Sequence, residues 1–184
     1  MRILGVTASS YESYTAFESI ATATGTGSSG TITFSNIPGT YQHLQIRGIM
    51  SSTTAQSTRL DLIIRTNGSA GTNYSWHSIR GNGASAAIYA NFDASEGKAP
   101  FSIPTANYTS QVGAIILDIH DYASTTKYKT MRQFSGSDNN GAGAVNIGSA
   151  LWMSTSAITS IDLIVDSYNF STSTTFALYG VKGA

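Results

Sequence analysis

Apolar and polar residues alternate with a period of two along most of this chain, the pattern of half-buried β-strands. Between Ile32 and Met50 the reading is strand, corner, strand. Ile32 and Phe34 lie opposite Thr31 and Thr33. Pro38 fixes its own φ and biases Ile37 toward an extended conformation, while Gly39 is placed to supply the positive φ of a type II turn. Beyond the corner Leu44, Ile46, Gly48 and Met50 share one face and Gln45 and Arg47 the other. Leu60, Leu62 and Ile64 alternate with Arg59, Asp61 and Arg65, and Ile63 breaks the polar face, which predicts a layer over it. Tyr74, Trp76 and Ser78 oppose Ser75, His77 and Ile79. The apolar run from Val112 to Leu117 predicts a central strand that emerges into solvent at Asp118. Tyr14 to Thr24, Ala86 to Phe92, Lys127 to Ser135, Val145 to Met153, Ile158 to Val165 and Phe176 to Val181 supply further strands. In the first, the odd spacing of the anchors Phe17 and Ile20 predicts a bulge or a late strand start.

Turn signals separate these segments: GTGSSG at 25–30, Asn67-Gly68, GNGAS at 81–85 and GSDNNGAG at 136–143. Residues 93–99, DASEGKA, read as a short helix or an irregular loop. About ten short strands without a sustained helical period predict an all-β, antiparallel β-sandwich or jelly roll. The expected core is Leu44, Ile46, Leu60, Leu62, Ile115, Leu117, Ile147, Leu151, Ile161, Leu163, Phe176 and Leu178. Residues 14–184 make one sandwich domain, and residues 1–13 an N-terminal arm. Ile3, Leu4 and Val6 are too few to form a core, so the arm is expected to dock on a neighbouring molecule.

Composition changes the picture in one respect. The 184 residues hold no cysteine, carry a formal net charge of zero and are only 11% charged. Disulfides and thiolate metal sites are excluded. A nucleic-acid partner is not expected, because the ten Lys and Arg are scattered rather than gathered in a basic stripe. A membrane partner is not expected either, since no apolar run reaches spanning length and Met1 to Val6 is too short for a secretory core. A surface of Ser, Thr, Asn, Gln and Gly is poorly protected against self-association. It predicts either life within an assembly or a polar, uncharged face that is itself the functional surface.

Candidate chemistry is sparse. His43, His77 and His120 are the natural catalytic residues, and Asp118 and His120 at i, i+2 share a face that would suit two ligands of one metal. The phrases that accompany hydrolases, P-loops or dinucleotide folds are missing. The acidic residues are scattered, so no carboxylate pair is evident. Asp138-Asn139-Asn140-Gly141 lacks the alternating ligand spacing and distal Glu of a calcium loop. The expectation is no enzyme, no catalytic residue, no cofactor and no metal. Tyr74, Trp76 and Tyr89 are the candidates for stacking on sugar rings, with Tyr108, Tyr122 and Tyr128 as further aromatics.

Three phrases resemble a family of small β-rich virion proteins of tailed phages, many of them marine. One is the I-P-x-T-Y corner at residues 37–41 with the strand after it. Another is N-G-x-x-G-x-N-Y-S at residues 67–75. The third is the run from Leu151-Trp152 through Ile158-Thr159-Ser160-Ile161 to Ala177-Leu178-Tyr179-Gly180. The resemblance covers roughly residues 14–182 and implies a structural or tail-associated role. It leads to the expectation of a capsid decoration (cement) protein on the outer surface of the virion, assembled in the host cytoplasm. Its expected partners are the major capsid protein or other virion proteins, and family analogy suggests a homotrimer. The alternative is a tail-fibre or receptor-binding module that recognises host surface glycans. The sequence holds no fibre stem, which favours the capsid.

Overall fold

Strands with one apolar face are stable when two sheets bury those faces against each other. The computed structural model describes residues 16–55, 60–103, 111–138 and 143–183, and it is built in this way. Among the described residues there are twelve strands and no helix. They are β1 (Phe17–Thr24), β2 (Thr31–Phe34), β3 (His43–Met50), β4 (Leu60–Thr66), β5 (Tyr74–Gly81) and β6 (Ala86–Ala94). Then follow β7 (Gly97–Ile103), β8 (Gly113–Ile119), β9 (Lys129–Ser137), β10 (Ala144–Trp152), β11 (Ile161–Val165) and β12 (Thr175–Val181). A large sheet of eight strands has the order β1-β12-β3-β8-β9-β10-β5-β6, and a small sheet of four has the order β2-β11-β4-β7. The pairings in both sheets are antiparallel. The arm, with Ile3, Leu4 and Val6, lies outside the described residues.

The core lies between the two sheets. Ile32, Phe34, Leu62, Ile64, Ile161, Leu163 and Val165 enter it from the small sheet. Leu44, Ile46, Ile115, Leu117, Ile119, Phe176 and Leu178 meet them from the large one. Phe170 and Phe176 close one region as an edge-to-face pair with centroids 5.6 Å apart. Gly48 is dictated by this packing: a Cβ there would lie 2.3 Å from the Phe176 ring. At the opposite end Lys129 is fully buried, and its ammonium donates to the Lys127 carbonyl at 2.7 Å and the Ser154 carbonyl at 3.3 Å. Burial lowers its pKa.

Nine of the twelve expected core residues are buried. Leu60 and Leu151 are only half-buried, and Ile147 points outward with 60% of its surface exposed. On β10 the inward residues are Ala144, Asn146, Gly148, Ala150 and Trp152, because Trp152 packs in the core and a period of two carries its whole register inward with it. Residues 93–99 form no helix. They are the corner at which the chain leaves the large sheet on β6 and enters the small sheet on β7. Asp93 takes the left-handed conformation there (φ 52°), and Glu96 is held by Arg65 at 3.0 Å.

The turns differ from expectation in one place. At the Pro38-Gly39 corner the positive φ belongs to Asn36 (55°), not to Gly39. Asn67-Gly68 does take positive φ at both residues, 51° and 64°. The Asn67 side chain also clamps the segment before β11: its Oδ1 accepts from the Thr159 and Ser160 amides at 2.8 and 3.1 Å, and its Nδ2 donates to the Ala157 carbonyl at 2.8 Å. The predicted bulge in β1 is present, between Ser19 and Ala21.

Two stability predictions follow from this packing. Leu163→Ala removes a fully buried side chain and should cost on the order of 2–5 kcal/mol in urea denaturation. Gly48→Ala must displace the Phe176 ring and should cost about 1–3 kcal/mol. A third concerns acid. Hydrogen bonds from Lys182 and Tyr41 lower the pKa of Glu18, and one from Lys127 lowers that of Asp121. A carboxylate whose folded pKa is depressed stabilises the fold above its unfolded pKa and loses that contribution as pH falls through the folded one. Melting temperature should therefore drop on acidification through the carboxylate range. Glu18→Gln should lower it at neutral pH and shrink the drop, and added salt should weaken the effect because both side chains are partly exposed.

Candidate functional site

The outer face of the large sheet divides into two unlike halves. On β1, β12, β3 and the end of β8 it carries polar groups paired with one another, together with exposed Phe17 and Ile49. The Arg47 guanidinium lies over the Phe17 ring at 5.5 Å and the Tyr179 ring at 6.0 Å. Its Nε donates to Gln45 Oε1 at 2.5 Å, and Gln45 Nε2 donates to Asp118 Oδ1 at 2.7 Å. The neighbouring histidines are also engaged. His43 Nδ1 accepts from the Asp121 amide at 3.0 Å, and His120 Nε2 accepts from Arg132 Nε at 3.2 Å. The two imidazoles stand edge to face, with centroids 5.1 Å apart. Burial, Arg132 and His43 lower the pKa of His120. Asp118 is thus committed to Gln45 rather than paired with His120. Among the described residues no three His, Asp or Glu side chains are grouped to hold a metal ion. His77 stands apart on β5, edge to face with Phe92 at 5.3 Å.

From β8 to β6 the outer face carries one apolar row, flanked on one side by the mixed row Asp118, Arg132, Ser149, His77 and Ala90. Ile116 of β8 is opposite Phe134 of β9, Phe134 opposite Ile147 of β10, Ile147 opposite Ile79 of β5, and Ile79 opposite Ile88 of β6. Directly opposed residues on neighbouring strands point to the same side. The result is an unbroken row of five large apolar side chains across five strands. Their exposures are 40, 54, 60, 56 and 78% in that order. The row of partners beside it is made of small residues, Ala114, Gly136, Val145, Gly81 and Ala86. They floor an open depression of about 620 Å³ next to the large side chains.

The inner face of the same strands is the reverse. Gln133 and Ser135 of β9, Asn146 of β10 and Ser78 of β5 are buried, and their side-chain polar atoms have no hydrogen-bond partner among the described residues. Groups of this kind cost free energy when desolvated. Along this half of the strands the polar set faces the protein and the apolar set faces away.

The proposed sugar-stacking trio is not assembled. Tyr74 is fully buried, stacks on Trp152 at 6.4 Å, and its hydroxyl serves the Thr66 amide at 3.0 Å. Its burial removes it from any ligand platform. Trp76 is half-buried against the core, and Tyr89 is 43% exposed on the edge strand β6. Of the other aromatics, Tyr122 is buried and donates to the Pro38 carbonyl, Tyr128 is exposed, and Tyr108 lies outside the described residues. In the acidic turn at Asp138, residues 139–142 likewise lie outside.

Sequence reasoning missed the apolar row. Period-two alternation marks two faces but does not say which one points inward. A signal was present in the strands themselves, since Tyr74 and Trp152 share a face with Ser78 and Asn146 and not with Ile79 and Ile147. Comparison of the chain with protein-family models, with curated proteins and with solved structures returned no match.

Proposed function

We propose that this chain is a non-enzymatic structural protein of a tailed-phage particle: a decoration protein on the outer surface of the capsid, in contact with the major capsid protein or its neighbours. The observation that carries a role in protein contacts is the exposed row Ile116, Phe134, Ile147, Ile79 and Ile88. Contiguous apolar surface of this kind marks interaction sites on otherwise polar proteins. The attribution to a phage particle rests on the three phrases at the corner after Ile37, the turn after Asn67 and the C-terminal strands.

Copy number in purified particles tests this reading. Hundreds of copies per virion are expected for a capsid decoration protein. About a dozen would place it in the tail and favour a receptor-binding module, and its absence from purified particles would remove the virion role.

A further inference from the structure

We propose that the apolar row is a self-contact: two copies of the chain pack row on row about a twofold axis that runs along β10. This deepens the structural role argued above by naming the partner of that surface.

The direction of the side chains is the first ground. Strand register is strongly specified where one face is to be buried, and a slip of one residue exchanges the faces. Along one half of β9, β10 and β5 the large apolar residues are Phe134, Ile147 and Ile79, and all three point away from their own sandwich, whereas Met131, Trp152 and Tyr74 at the other end of these strands point into it. Gln133, Ser135, Asn146 and Ser78 point into it, with polar atoms that find no hydrogen-bond partner among the described residues. The apolar sides of these strands therefore match a second layer outside the chain.

The row is also self-complementary. Ile147 is its middle member, with two large apolar residues on each side. A twofold along β10 sets Ile147 beside its own copy, Phe134 over the second copy's Ile79, and Ile116 over the second copy's Ile88. Such an isologous contact closes on itself and uses one patch twice. Aligned face-to-face sheets pack about 10 Å apart with interdigitated side chains.

The five positions carry no charge. The charged neighbours on the same face, Asp118 and Arg132, lie directly opposite each other on β8 and β9 and flank the row. Arg47, the next residue along the row beyond Ile116, would project past the second copy's edge strand β6 and stay solvated. The five side chains leave on the order of 500 Å² uncovered, within the largest patches that lone monomers show. With the flanking Val145 and Ala114, two copies would remove about 1,200 Å², the lower bound of a stable specific interface. The row favours this twofold over the threefold that the family resemblance implies.

Sedimentation equilibrium of the purified full-length chain tests the proposal. The wild type should be a dimer at micromolar concentration. Ile147→Glu and Phe134→Glu should each raise the dimer dissociation constant at least tenfold with an unchanged far-UV spectrum. Thr22→Glu, on the same face beyond Arg47, should leave it unaltered. Because the chain has no cysteine, Ile147→Cys gives a single thiol close to the axis. A short bismaleimide should join Ile147→Cys into a covalent dimer much faster than Thr22→Cys, which decides the matter even if a Glu variant fails to fold. A monomer at tens of micromolar, a trimer, a dimer indifferent to both Glu substitutions, or equal cross-linking of the two thiols would overturn the proposal. A dimer absent from virions would leave it standing and remove the phage role. A monomer present in hundreds of copies per virion would do the reverse.

Discussion

Everything in this sandwich follows from an inequality of width. Strands lie about 4.8 Å apart, so eight of them span roughly 34 Å and four of them roughly 14 Å. The small sheet cannot cover the inner face of the large one. Where β2, β11 and β4 lie over it, the large sheet points Ile, Leu and Phe inward and the core is dry. Toward β9, β10 and β5 the strand that approaches is β7, the edge of the small sheet, and there the inward positions become Gln133, Ser135, Asn146 and Ser78. These small and polar side chains are buried all the same, under the single strand β7 rather than under the body of the small sheet. The apolar members of those strands are left with the other side.

The phrases that carry the family resemblance are used to hold the fold together. Tyr41 of the corner lays its ring over Gly180 of the last strand, where a Cβ would lie 2.3 Å from the ring. The Pro38 carbonyl accepts from buried Tyr122, and the Ile37 amide donates to the Thr159 carbonyl at 3.0 Å. Asn67 holds Thr159 and Ser160, and Tyr74 from the same phrase returns its hydroxyl to Thr66. Segments far apart in sequence therefore meet through these residues. Such a signature reports architecture, and function has to be argued from the surface.

That division explains what was legible in the sequence. Alternation and turn chemistry are local, and they gave the strands and most of the turns, including both positive φ values at Asn67-Gly68. The fold class was readable for the same reason. Residues 93–99 were misread because a corner between sheets has a helix-like polar composition, and only the tertiary pairing of β7 with β4 makes it a crossover. The face of β10 was misread because Val145 and Ile147 are more apolar than Asn146 and Gly148. Which face turns inward is decided at the far end of the strand, where Trp152 enters the core. The interaction row was invisible for a further reason: it exists only when five strands, β5–β6 and β8–β10, are placed side by side in register.

A slip of one residue in β10 would appear to repair the inversion by bringing Val145, Ile147 and Leu151 inward. It would also turn Trp152 and Ala150 out of the core. Trp152 is stacked on Tyr74 and lies 5.9 Å from the Lys129 ammonium. Lys129 is itself pinned to two carbonyls. Losing a buried Trp costs about 3–5 kcal/mol, and the slip would also undo the Tyr74 stack and the cation contact to buried Lys129. The aromatic end therefore locks the register, and β9 and β5 follow it through their own pairings with β10. The chain keeps its apolar row on the surface because the alternative unmakes its core. A surface fixed by the core in this way is present at full strength in every folded molecule, with no rearrangement needed before it meets a partner.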